Sequence, residues 1–194
     1  MKTEKKKNPK QDFFFMLTDK SMLQGGLAPF SMLAWKSHTR KRKTVSTLSA
    51  ETQAIVESAS VACWFRFLLA ECENPESLIP RTSQWEDKLS ALEFGIITDA
   101  KSVYDALSKP TSITNSAADK RSCIDLSIIR EFLRRHHGCI RWIEGTLQLA
   151  DSLTKFMRAD FLRHVMNAGE YQLREEYATL QSRQLREERR QEGM

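Results

Sequence analysis

An α/β domain, a mixed sheet with flanking helices, is the fold class this sequence predicts, and three observations predict it. The aromatic-rich run Phe13 to Leu17 and the apolar run Phe30 to Ser37 flank the turn residues Gly25, Gly26 and Pro29, so they read as a hairpin with a long connection. From Ala50 to Cys72 apolar residues recur at helical spacing. The compact run Leu92 to Thr98, holding Phe94, Ile96 and Ile97, reads as a strand buried on both faces, as in a parallel sheet. At 194 residues the chain accommodates one domain with its own core and an extra segment.

The elements follow in order. Residues 1–12 are polar and lysine-rich and are expected to be a disordered basic segment. After the hairpin comes the basic stretch Lys36-Ser37-His38-Thr39-Arg40-Lys41-Arg42-Lys43. Ser49 is a plausible N-cap for the long helix, whose face Ile55, Ala59, Ala62 and Phe65 or Arg66 is wide enough to pack on a sheet. Glu73 to Ser90, with Pro75 and Pro80, reads as a loop. Asp99 ends the buried strand and opens a helix, about Ala100 to Ser108, stopped by Pro110. Thr111 to Ala118 is a small-polar loop, and about Ala118 to His137 is helical, with Ile124, Ile128, Ile129 and Phe132 on one side and Gly138 as its C-cap. Cys139 to Ile143 is a short strand, and residues 148–157 form a helix bearing Asp151. Beyond Ala159 the chain turns helical and increasingly charged, with Glu and Arg at i,i+3 and i,i+4 spacing from Tyr171 to Gln191. The expected organisation is a basic segment over 1–12, a domain over 13–166 and a charged helical tail over 167–194.

Composition narrows the function classes. No apolar run approaches the ~20 residues that span a bilayer. The N-terminus is basic but lacks an apolar stretch followed by a small-residue cleavage site, so an intracellular protein, cytoplasmic or nuclear and not secreted, is expected. Cys63, Cys72, Cys123 and Cys139 form no CxxC pair, which points to reduced buried thiols rather than zinc. The net charge of +5 is gathered in blocks that suit a polyanion.

Three carboxylates at element boundaries carry the chemistry. Glu51 begins the long helix, Asp99 ends the buried strand, and Asp151 lies in Leu149-Ala150-Asp151-Ser152-Leu153-Thr154-Lys155. Each also has an ordinary role open to it: a glutamate in a first helical turn is favoured by the helix dipole, and an aspartate after a strand is a common N-cap. Brought together, carboxylates suit hard cations such as Mg²⁺ and so metal-assisted phosphodiester hydrolysis. His136 and His137 sit at a basic helix end, where capping is their expected role. Trp35, Trp64, Trp85 and Trp142 are expected in the core or the sheet rather than as base-stacking platforms.

These residues, in this order, resemble the ribonuclease H domain of copia-type (Ty1/copia) retrotransposon Pol polyproteins. The similarity runs through Trp35-Lys36-Ser37, Arg40 to Lys43, Ser46 to Glu51, Ile96 to Val103 with Asp99, and Lys120 to Glu131. Its most specific part is Gln148-Leu149-Ala150-Asp151-Ser152-Leu153-Thr154-Lys155. It covers roughly Phe13 to Met166 and implies a ribonuclease H-like mixed sheet. It also implies Glu51, Asp99 and Asp151 as catalytic metal ligands for Mg²⁺ (or Mn²⁺), and hydrolysis of the RNA strand of RNA·DNA hybrids. The family's domain opens with a central strand bearing its first catalytic aspartate, and nothing ahead of Phe13 matches it. The chain is therefore expected to lack that strand and to cleave weakly or not at all alone.

Lys36, Arg40, Lys41, Arg42, Lys43, Lys120, Arg121, Arg134 and Arg135 are the candidate phosphate contacts, or else a solvated surface. The expected partners are an RNA·DNA hybrid or other nucleic acid and the rest of a reverse-transcriptase polyprotein, with no membrane. Two alternatives stand beside the nuclease: a non-catalytic nucleic-acid-binding remnant of the same fold, and an unrelated helical interaction protein.

Overall fold

The computed structural model describes residues 10–39, 46–73, 92–109, 120–153 and 159–173, and the chain is a mixed α/β protein. Strand β1 (Lys10–Thr18) is joined through a 3-10 turn (Lys20–Gln24) to β2 (Leu27–Thr39). Helix α1 (Thr47–Glu73) precedes strand β3 (Gly95–Thr98) and helix α2 (Lys101–Ser108). Helix α3 (Lys120–Arg135), strand β4 (Cys139–Trp142), 3-10 turns at Gly145–Leu147 and Ala150–Leu153, helix α4 (Ala159–Ala168) and strand β5 (Glu170–Gln172) complete the described elements.

The expected hairpin forms. β1 runs antiparallel to β2, from Lys10 opposite Thr39 to Thr18 opposite Phe30. The register shifts between Phe15 and Met16, where Leu33 is the extra residue of β2 and bends the ribbon. The connection is capped at both ends. The Asp19 carboxylate accepts from the Ser21 amide at 2.8 Å, and Gly25 takes φ 87°, a left-handed conformation that glycine adopts without steric cost. β5 adds antiparallel to the other edge of β2, giving the order β1-β2-β5. A parallel strand forms as expected, but it spans only Gly95–Thr98 and only Thr98 in it is buried: β3 pairs in parallel with β4, as a second sheet. Lys20, just past β1, pairs at 3.0 Å with Glu93, just ahead of β3. The start of β3 thus lies near the end of β1.

Apolar packing falls into two principal clusters. One gathers Met22, Ala28, Ile143, Leu149, Val165, Tyr171 and Leu173 beneath the hairpin. The other gathers Ile55, Val103, Ala106, Leu107, Leu126, Ile129 and Leu133 between α1, α2 and α3. Successive residues of a strand point to opposite faces, and β3 shows it: Ile97 packs on the first cluster and Ile96 on the second. Each fully buried Leu, Ile or Val contributes about 1.5–3 kcal/mol. Arg130 ties α3 to the end of α2 by donating to the carbonyls of Ala106 (2.7 Å) and Lys109 (2.8 Å), groups a helix end leaves without internal partners.

Several elements differ from expectation. α1 starts earlier: the Ser46 hydroxyl accepts from the Ser49 amide at 3.1 Å, so Ser46 caps the helix and Glu51 falls beyond its first turn. On α3, Leu126, Ile129 and Leu133 face inward, while Ile124 and Ile128 are 60% and 52% exposed. Asp151 lies in a 3-10 turn, not an α-helix. The chain continues past Met166 into β5, and Tyr171 and Leu173 enter the first cluster, because a strand edge of β2 is there to receive them. The four cysteines are free thiols, but none is fully buried: Cys63, Cys123 and Cys139 are half-buried and Cys72 is exposed. Of the basic segment expected to be disordered over 1–12, residues 10–12 instead begin β1, paired with the long β2. Residues 1–9, 74–90 of the expected loop over 73–90, the loop over 111–118, Trp85, and the part of the 167–194 tail beyond 173 lie outside the described residues.

Candidate functional site

A cleft of about 800 Å³ opens between the two sheets. Its walls are β1, from Gln11 to Thr18, and the stretch Leu92 to Asp99 that contains β3. Its floor is α1, through Ala54, Ile55, Ser58, Ala59, Ala62 and Phe65. Glu51, Asp99 and Asp151 all line it.

Each carboxylate is placed by its own local structure. Asp99 follows the last residue of β3. The buried Thr98 hydroxyl accepts from the Ala100 amide at 3.1 Å, and the Trp142 indole donates to the Asp99 carbonyl at 3.0 Å. The chain is thereby turned out of the sheet at the carboxyl end of a parallel strand, where open α/β sheets hold ligands. Asp151 sits two residues after Leu149, a side chain only 2% exposed in the first apolar cluster. Gln148, one residue before Leu149, donates to the Ile97 carbonyl at 3.4 Å. Glu51 stands on α1 one turn ahead of the buried Ile55. All three carboxylates are half-buried.

Asp12 lines the same cleft. Sequence reasoning placed Asp12 outside the first strand. The structure places it within β1, opposite Ser37, because β2 is long enough to extend the ladder back to Lys10. The length of the facing strand was the one signal that could have revealed it.

Oxygen donors of this kind suit Mg²⁺ or Mn²⁺. Among the described residues, however, no group of three His, Cys, Asp or Glu side chains stands close enough to hold a metal ion. The carboxylates share a cleft without forming a chelating set.

The basic candidates are divided by position. Lys36 is engaged at 2.9 Å with Glu57 of α1, and His38 approaches the same carboxylate at 3.4 Å. Burial works to raise the Glu57 pKa, but the hydrogen bond and charge of Lys36, with His38, hold it below the usual value. Arg134 and Arg135 close α3 and pair with Glu131 at 2.7 and 3.6 Å. The Arg134 bond lowers the Glu131 pKa. These two arginines sit near Phe94, which begins the β3 side, because Phe94 packs on Phe132 with ring centroids 5.2 Å apart. Asp99 is at the other end of β3. Lys120 and Arg121 are exposed at the opposite end of α3 and do not line the cleft. Arg40, Lys41, Arg42 and Lys43 lie outside the described residues.

Trp142 is buried, whereas Trp35 and Trp64 are 58% and 59% exposed. His136 is buried with its ring centroid 4.7 Å from that of Phe132, and His137 is exposed. Among the described residues no helix is long and apolar enough to cross a membrane. No family model, no curated protein and no solved structure matches this chain.

Proposed function

We propose that the chain is a ribonuclease H-like domain of the Ty1/copia retrotransposon type, directed at the RNA strand of RNA·DNA hybrids and impaired as a nuclease on its own. One observation supports this reading above the rest: Glu51, Asp99 and Asp151, drawn from three widely separated segments, line one cleft. Mg²⁺ or Mn²⁺ is the proposed cofactor, with these carboxylates as its oxygen donors. Impairment rests on the first strand and its catalytic aspartate, which the resemblance implies and nothing ahead of Phe13 matches. Lys36, Arg40, Lys41, Arg42, Lys43, Lys120, Arg121, Arg134 and Arg135 remain the proposed phosphate contacts. An intracellular site of action and association with a reverse-transcriptase polyprotein belong to the same proposal. That observation on the carboxylates also favours a second reading, a remnant that binds nucleic acid without cutting it.

A labelled RNA·DNA hybrid incubated with the chain under Mg²⁺ and Mn²⁺ titration tests the proposal. Cleavage is expected to be slow or absent, and any that occurs is expected to vanish in Asp99→Asn. Hybrid affinity is expected to fall steeply with salt, since phosphate contacts release counterions. Salt-sensitive binding with no cleavage favours the remnant. Vigorous metal-dependent cutting that Asp99→Asn leaves intact removes these carboxylates from the site, and salt-independent binding removes the basic contacts.

A further inference from the structure

We infer that Glu57 is a pH-dependent latch on Lys36: it holds the ammonium away from phosphate while His38 is neutral, and yields it to a phosphate once His38 carries a proton. The inference rests on the nucleic-acid reading above and names how one of its contacts is regulated.

The latch joins three elements. The Glu57 carboxylate of α1 receives three side chains from the β1–β2 ribbon. Lys36 Nζ lies 2.9 Å from Glu57 Oε1 and His38 Nε2 lies 3.4 Å from the same oxygen. Gln11 Nε2 of β1 donates to Oε2 at 3.4 Å. Lys36 and His38 share a face of β2 because they stand two residues apart on a strand. The Phe13 ring, opposite Lys36 in the ladder, packs on the His38 ring with centroids 5.9 Å apart and keeps the imidazole beside the carboxylate. One carboxylate oxygen therefore serves two nitrogens.

The neighbouring positions add no other charge. On α1 the residues one turn from Glu57 are Gln53, Ala54, Ser60 and Val61, all uncharged. On β1 Asp12 stands opposite Ser37, and Ser37 falls on the other face of β2 from Lys36 and His38. Among the described residues, Lys36 and His38 are the charged groups that act on Glu57.

Charge arithmetic gives the direction. With His38 neutral, Lys36 and Glu57 cancel and offer a polyanion no net charge. With His38 protonated, two cations share one carboxylate and the group carries a net positive charge. Histidine is the side chain that makes this change between about pH 8 and about pH 5. Glu57 remains ionised meanwhile: burial works to raise its pKa, but Lys36 and His38 hold it below the usual value. The His38 side chain is the more enclosed, 27% exposed against 51% for Lys36. The imidazolium keeps the carboxylate, and the longer, more exposed lysine turns to the phosphate. An exposed ion pair is weak enough for this exchange.

A labelled RNA·DNA hybrid is titrated with the full chain, in EDTA and at several salt concentrations, at about pH 8 and about pH 5.5. For the wild type, affinity at ~0.1 M salt is expected to rise at least about threefold at the lower pH. The slope of log affinity against log salt is expected to steepen by about one, the signature of one further phosphate contact. Glu57→Gln keeps the side chain's shape without its charge, and is expected to show the steeper slope already at the higher pH. His38→Gln and Lys36→Gln are each expected to lose the pH-dependent steepening. Steepening that survives in Lys36→Gln assigns the new contact to another cation and overturns the latch. The wild-type series needs no variant, so misfolding of a variant leaves the test standing. Wild-type binding at both pH values with a single slope overturns the latch and spares the nucleic-acid reading. No binding by wild type or Glu57→Gln at either pH overturns both.

Discussion

His137 holds the left-handed position at the end of α3, with φ 50°, and the next residue, Gly138, donates its amide to the Leu133 carbonyl at 2.8 Å. This closing bond usually follows a glycine, because a side chain in the left-handed region meets the backbone. His137→Gly is therefore expected to stabilise the fold by about 0.5–1 kcal/mol, read as a higher denaturant midpoint. Tyr171 makes a different residue-scale case. Its side chain is buried and its hydroxyl donates to the Leu147 carbonyl at 2.7 Å, and burial raises its pKa. An unfolded tyrosine titrates near ~10. A folded-state pKa above that value means the contribution to stability is whole below about pH 10 and is lost as pH rises toward the folded value. Thermal midpoints should decline above about pH 10. Tyr171→Phe should lose about 1 kcal/mol at neutral pH and show a shallower alkaline decline. An unchanged slope in that variant would move the effect to another group.

Elements here depend on close contacts between neighbours that are distant in sequence. Gly138 lies between α3 and β4 with the Phe94 ring against it, so that a methyl group at Gly138 would collide with the ring. Phe94 cannot move freely, because it packs on Phe132 on one side and carries the Arg66 guanidinium 4.8 Å from its centroid. Gly138→Ala is expected to destabilise by about 1–3 kcal/mol through overpacking, with the denaturant m-value unchanged. The glycine was read as a helix cap; its need is set at least as much by the approach of Phe94 ahead of β3. The same scale explains β5. Glu170–Gln172 is short and charged at one end, and it becomes a strand because the β2 edge pairs with it and the first cluster takes Tyr171.

The molecule as a whole is organised by its cleft, which separates β1 from β3, and by two principal apolar clusters that meet opposite faces of β3. Cooperative units of this kind open with separate free energies. Native-state exchange should therefore resolve two classes of amide, one in β2 and one in α3, differing by more than about 1 kcal/mol. A single shared opening free energy would mean that contacts through α1 already couple the halves. The sequence by itself determined the α/β class, the hairpin, the long helix and a strand at Ile96–Ile97, and it singled out Glu51, Asp99 and Asp151 as candidates. Those features are local: alternation, helical spacing and turn residues act within a few positions of one another. Tertiary structure decided which strands became neighbours, and that β1 and β3 did not. It drew Asp12 into a ladder set by β2, turned Ile124 and Ile128 outward, and carried the fold past Met166. It also brought the three carboxylates to one cleft without closing them on a metal site. Those outcomes depend on which surfaces meet across long stretches of chain, and residue spacing holds no record of that.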